Sequence, residues 1–111
     1  MTVQEKAIYL AGIVDGEGSI TIYKHIRNAK KVDYGGFLVV TNTSKELILW
    51  LCNNFGGSWC IRQGNSLSKK EVLRWQLYGK DALFLVMKIS RFLIIKRKTK
   101  NKKLKAFYLL Q

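Results

Sequence analysis

Hydrophobic positions near the start of the chain recur at helical spacing. Tyr9, Leu10, Ile13 and Val14 follow Gln4–Ile8, predicting a helix from about Val3 to Val14 that Gly16 and Gly18 end. The pattern then changes to alternation. Ser19–Arg27 sets Ile20, Ile22 and Lys24 against Thr21, Tyr23, His25 and Arg27, as a strand with one polar face does. A basic loop over Asn28–Lys31 leads to a second strand, Tyr34–Thr41, with Leu38 and Val40 inward. Thr43 and Glu46 have the spacing of a capping box, opening a helix through Leu47, Ile48, Leu51 and Cys52 that ends before Gly56-Gly57. Two more strands follow, Ser58–Arg62 with Trp59 and Ile61 inward, and Val72–Tyr78 with Leu73, Trp75 and Leu77 inward, around a polar turn at Gln63–Lys69. An apolar helix over Asp81–Ile89 precedes a Lys-rich helix that closes on Phe107-Tyr108-Leu109-Leu110.

The order α-β-β-α-β-β-α-α implies an α+β fold: a four-stranded antiparallel sheet with helices on one face, read as a single domain over residues 1–111. The other face stays open. Its expected residues are Thr21, Tyr23, His25, Arg27, Gly35, Phe37, Val39, Ser58, Cys60, Arg62, Arg74, Gln76 and Tyr78. That mixture of basic, hydroxyl and apolar groups suits reading a DNA groove by hydrogen bonds and thymine-methyl contacts; an ordinary solvated face is the plainer alternative.

Charge sharpens the picture. Twenty Lys and Arg stand against seven acids, a net charge of +13 that repels itself unless a polyanion sits beside it. Nucleic acid fits better than a membrane surface, because no segment shows one-sided basic amphipathy. Lys96–Lys105 alone holds seven basic residues, as a phosphate-neutralising flank or simply a solvated helix face. Cys52, Cys60 and the lone His25 match no zinc pattern, and the cysteines read as two buried reduced thiols of a cytosolic protein. Lys88 and Arg91 interrupt the longest apolar run, and no export signal is apparent, so a soluble intracellular protein is expected.

The densest chemical signal is Leu10-Ala11-Gly12-Ile13-Val14-Asp15-Gly16-Glu17-Gly18. Small residues at Ala11 and Gly12 allow a second helix to approach at backbone distance, and a two-fold homodimer supplies that helix from the same sequence. Leu10, Ala11, Gly12 and Val14 are therefore the expected dimer contacts. Two Glu17 carboxylates would then meet at two negative helix ends, an arrangement that wants divalent cations between them. The alternative is that the glycines merely end a helix and leave the acids in solvent.

This segment resembles the signature of the LAGLIDADG homing endonucleases, whose single-motif members cut DNA as homodimers. Tyr9 before it and Ser19 after it fit as well, and the element order is similar over essentially the whole chain. The resemblance implies a site-specific endonuclease making a staggered double-strand cut in a long, nearly palindromic DNA target by metal-assisted hydrolysis. It assigns Glu17 as metal ligand, the Gly16 carbonyl as a second donor, and Asp15 as a structural or outer-shell acid. Asn42, after the second strand, fits the residue that positions solvent at the scissile phosphate, though Asn is also common in turns before helices. Lys96, after Phe92-Leu93, fits the lysine that completes the site, with Lys98 next in line on the DNA. Mg2+ is the implied cofactor, with Mn2+ substituting and Ca2+ supporting binding without cleavage.

The chain departs from the pattern twice. Glu17 stands where many members have Asp, and Glu46 occupies the turn where a cation is expected, Lys45 being the nearest. These departures leave room for a nucleic-acid-binding protein of the same fold with weak or no catalysis, such as an intron RNA maturase or a DNA-binding regulator. An unrelated basic RNA-binding protein would instead be a monomer. A bacterial or archaeal cytoplasm and an organelle are equally compatible.

Overall fold

In the computed structural model, which describes residues 1–63 and 71–95, the first helix starts at a capping box that the hydrophobic pattern does not show. Thr2 Oγ1 accepts from the Glu5 N–H at 3.1 Å, and Glu5 Oε1 accepts from the Thr2 N–H at 2.7 Å. Those bonds hold the Glu5 carboxyl below its ordinary pKa. Helix α1 (Val3–Glu17) then runs past the expected end at Val14. Gly16 sits inside the last turn, and only Gly18 terminates the helix. A side chain at Gly18 would stand 2.7 Å from the Val14 Cα, so the tight exit requires glycine there.

Strands β1 (Gly18–Asn28) and β2 (Lys31–Asn42) are longer than the alternation predicts. The expected loop shrinks to a turn at Ala29-Lys30, where Asn28 Oδ1 accepts from the Lys30 N–H at 2.8 Å. Helix α2 (Lys45–Phe55) is capped by Ser44, not Thr43, so the expected Thr43–Glu46 box does not form. Ser44 Oγ accepts from the Leu47 N–H at 3.2 Å, and Asn42 Oδ1 accepts from the Ser44 N–H at 2.7 Å, which sets the start one residue later. The helix ends at Gly56-Gly57, both at positive φ, as the glycine pair implies. Strands β3 (Ser58–Gln63) and β4 (Glu71–Tyr78) lead into α3 (Gly79–Ile89) and a short 3-10 turn at Ser90–Phe92. The expected polar turn falls almost wholly outside the described residues, as does the Lys-rich helix from Lys96 onward.

The sheet is antiparallel throughout, in the order β1-β2-β4-β3. The three helices cover one face, as predicted, and their buried residues join Ile20, Ile22, Leu38, Val40, Leu73, Trp75 and Leu77 in one apolar cluster. Trp75 is fully buried, and its indole N–H donates to the Gly56 carbonyl at 2.8 Å. Two expected inward positions are not covered. Lys24 lies on the hairpin beyond the helices, and Ile61, on edge strand β3, is 52% exposed.

Gly36 sets how closely α3 lies on the sheet. A Cβ there would stand 2.9 Å from the Leu83 nitrogen, which is helix backbone and cannot yield alone. Gly36→Ala is therefore expected to lower unfolding free energy by about 1–3 kcal/mol, read from urea denaturation, by forcing α3 away from β2. Unchanged stability would mean that the helix floats freely on the strand.

Candidate active site and nucleic-acid interface

Helix α1 places three consecutive residues in three different environments. Residues successive on a helix are about 100° apart, so Asp15, Gly16 and Glu17 cannot share a direction. Asp15 turns toward the end of the described chain, where its carboxylate accepts the N–H of Ile94 at 2.7 Å and of Ile95 at 3.1 Å. It thus clasps the segment after α3 to the end of α1, a structural role within what the sequence allowed. Asp15→Ala is expected to cost about 1–2 kcal/mol and to remove hydrogen-exchange protection from the Ile94 and Ile95 amides. Protection retained at both would show that the clasp is not what orders them.

Glu17 is exposed and meets Asn42, whose Nδ2 donates to Glu17 Oε2 at 2.6 Å. The Asn42 amide cannot turn over without loss, because its oxygen accepts the Ser44 N–H. Its amino group therefore faces Glu17. This brings together two of the expected site residues, from the end of α1 and the end of β2. Gly16 lies beside them with open space where a side chain would be. The last helical hydrogen bond runs from the Gly18 N–H to the Val14 carbonyl, leaving the Asp15, Gly16 and Glu17 carbonyls beyond it. A carboxylate and main-chain carbonyls at a negative helix end form a hard-oxygen donor set, which fits Mg2+ or Ca2+ better than a softer metal. Among the described residues no three His, Cys, Asp or Glu gather at one point. Lys96 and Lys98 lie outside the described residues.

The four expected dimer contacts divide between the core and the surface of the single chain. Leu10, Ala11 and Val14 are 0–1% exposed within the single chain, spent on its own core. Ala11 points about 100° away from Gly12, on the side of the helix turned into the core. Gly12 alone of the four is exposed, on a stripe with Gly16, Ile8 and Tyr9. Along that stripe runs a groove of about 600 Å³ that ends at Glu17 and Asn42. Ile8 and Tyr9, 47% and 51% exposed, were legible as part of this surface only once the core side of the helix was known.

The open sheet face carries the expected groups in cross-strand rows. Thr21, Phe37 and Tyr78 form one row; Val39, Gln76 and Ser58 form the next, where Gln76 Nε2 donates to Ser58 Oγ at 3.2 Å. Thr41, Arg74 and Cys60 lie nearest the Glu17 end. Ser19 and Thr41 belong to this face by the same alternation, although the sequence reading placed neither on it. Tyr23 lays its ring across Gly35, where a Cβ would collide with it. His25 and Arg27 are exposed on the hairpin, Arg27 Nε bonding Asp33 Oδ2 at 2.6 Å, and Arg62 is exposed on edge strand β3. Both cysteines are free thiols, half-buried rather than buried as expected: Cys60 lies on this face, and Cys52 in α2, where partial burial pushes its thiol pKa up. No helix among the described residues is long and apolar enough to cross a membrane.

Comparison of the sequence with known protein families and with curated proteins gives no match. The structure, in contrast, is similar to solved homing endonucleases. With I-CvuI, in complex with the I-CreI target in the presence of 2 mM Mg and with the DNA not cleaved, the TM-score is 0.62 at 23% identity, over 92% of this chain and 65% of that one. The archaeal intron-encoded I-Vdi141I, complexed with DNA, gives 0.59 at 16% identity, over 86% of this chain and 62% of the other. The LAGLIDADG homing endonuclease I-LtrWI, bound to target DNA, gives 0.59 at 16% identity over 98% of this chain but 38% of its own. The chain thus spans less than two thirds of these proteins and shares their fold.

Proposed function

We propose that this chain, built on the fold of the LAGLIDADG homing endonucleases, is one half of a two-fold endonuclease that cuts both strands of a long, nearly palindromic duplex. The observation carrying this reading is the Glu17–Asn42 pair at the end of a groove floored by glycine, beside an uncovered sheet face rich in basic and aromatic groups. A second copy packed along the Gly12–Gly16 stripe brings its own Glu17 to the same place, which completes a donor set that one chain only begins. Glu17 and the Gly16 carbonyl would hold Mg2+, which when bound activates water and stabilises charge on the leaving oxygen. Asn42 fixes the Glu17 carboxylate through its amino group and leaves the acid's other oxygen free. The open face follows the groove of the DNA, and the exposed cations neutralise phosphates. Lys96 is proposed to complete the site from the chain beyond Ile95.

The test is cleavage of a randomised duplex library with Mg2+ and, separately, with Ca2+, followed by sequencing of the ends. Staggered ends at a pseudo-palindrome with Mg2+ alone support the endonuclease. One observation favours a second reading, a protein of this fold that binds DNA or intron RNA without cutting. Glu46 is exposed in the first turn of α2, while the nearest cation, Lys45, rests over the Trp59 ring at 5.8 Å. Selective retention of duplex without cleavage in either ion would favour it.

A further inference from the structure

Arg74 is an unusual member of the open face. It sits on interior strand β4, half-buried, opposite Thr41 on one side and Cys60 on the other. Its guanidinium lies over the Phe37 ring, 5.5 Å from the centroid, and Phe37 is stacked on Tyr78 at 4.6 Å with 20° between planes. Tyr78, Phe37 and Arg74 thus form one continuous stack along the sheet. Arg74 Nε is buried with no hydrogen-bond partner, the sole such side-chain atom among the described residues. With its Nε enclosed by the protein and the guanidinium packed against Phe37, the terminal amino groups of Arg74 are what remains for an acceptor from outside. The other arginines of this face differ. Arg27 already has Asp33, and Arg62 is exposed at the edge, as phosphate-contacting cations are.

We infer that Arg74 is a specificity-determining residue that reads a guanine, with Phe37 and Tyr78 as positioning residues for its guanidinium plane. The inference rests on the proposal that the open face binds duplex DNA. Guanine presents two acceptors, O6 and N7, side by side in the major groove, and a planar guanidinium matches them with two parallel bonds. Phosphate would not require a guanidinium packed on an aromatic ring on an interior strand, between Thr41 and Cys60. Register fixes which guanine. Arg74 pairs with Thr41, the neighbour of Asn42, and Asn42 holds Glu17. One residue along a strand is about 3.4 Å, close to one base-pair step, so the base read by Arg74 lies in the inner part of each half-site, next to the cut.

The experiment is binding-site selection from a randomised duplex library with Ca2+ present, using the full chain and the variants Arg74→Lys and Arg74→Gln, each checked for folding by circular dichroism. The wild type is expected to select guanine at one symmetric pair of inner positions. Arg74→Lys should keep the rest of the motif and lose on the order of ten- to hundredfold of that preference, since a lysine offers no planar fork. Arg74→Gln should move the preference at the same pair toward adenine, whose N6 and N7 suit a carboxamide. Phe37→Leu should weaken the guanine preference alone. A motif unchanged in both Arg74 variants overturns the inference. So does a uniform loss of affinity in Arg74→Gln, with the salt slope reduced by about 0.9, which would make Arg74 a phosphate contact. A wild type that selects no duplex motif overturns the duplex-binding proposal and this inference with it.

Discussion

Replacing Glu17 by glutamine is expected to abolish DNA cleavage while leaving DNA binding intact. Glutamine keeps the volume, and its carbonyl still accepts the hydrogen bond from Asn42 Nδ2 that now reaches Glu17 Oε2. The end of α1 should therefore keep its shape. What is lost is the negative charge, in the proposed set of ligands to which each chain would contribute one carboxylate. Without it a hard divalent cation retains only neutral carbonyls, and these hold Mg2+ poorly. Several kcal/mol of transition-state stabilisation go with the metal, a rate loss on the order of a thousandfold or more. Affinity for the target should hold or rise, because an anion has been removed from a surface facing phosphates. Gel-shift and cleavage assays on the same duplex separate the two effects. Cleavage by Glu17→Gln at wild-type rates would remove Glu17 from the metal site, and with it the proposed chemistry.

Much of this architecture can be read from the sequence because the patterns obey simple periods. Alternation in Ser19–Arg27 and Val72–Tyr78 assigns faces correctly wherever a helix covers the strand. It misassigns Lys24 and Ile61, since the period says which side a residue faces but not how far the helical layer extends. The Thr2–Glu5 box sits among exposed residues, and the Thr43–Glu46 spacing was displaced by a turn: Asn42 took the Ser44 N–H and moved the helix start. Glu17 and Asn42 were legible as candidate site residues through the family resemblance, twenty-five positions apart, and the fold joins them by a hydrogen bond. Asp15 has the same charge as Glu17 but a different task, set by a helical angle of about 200° between them and by amides near the far end of the described chain. The Tyr78–Phe37–Arg74 stack left no signal, because it depends on the register between two strands far apart in sequence.

The small-residue stripe offers a second large effect, one that separates folding from assembly. Ala11 and Gly12 are neighbours, and the sequence treats them alike; the structure does not. Ala11 is 1% exposed in the core, whereas a side chain at Gly12 meets nothing within 4 Å. Gly12→Arg should therefore fold as a single chain, and the helix itself gains up to about 1 kcal/mol from losing an interior glycine. Ala11→Arg should fail to fold, since a buried unpaired charge is not tolerated. In a two-fold pair the Gly12→Arg side chains would face each other across the axis, holding the backbones apart and opposing like charges. Sedimentation velocity should show a folded monomer, against the dimer proposed for the wild type. Because each chain carries one Glu17 and one open sheet face, double-strand cleavage should vanish with the dimer, and long-site affinity should fall to that of a half-site. A Gly12→Arg protein that remains dimeric and cuts would place the pairing surface elsewhere. The groove that ends at Glu17 and Asn42 would then need another occupant.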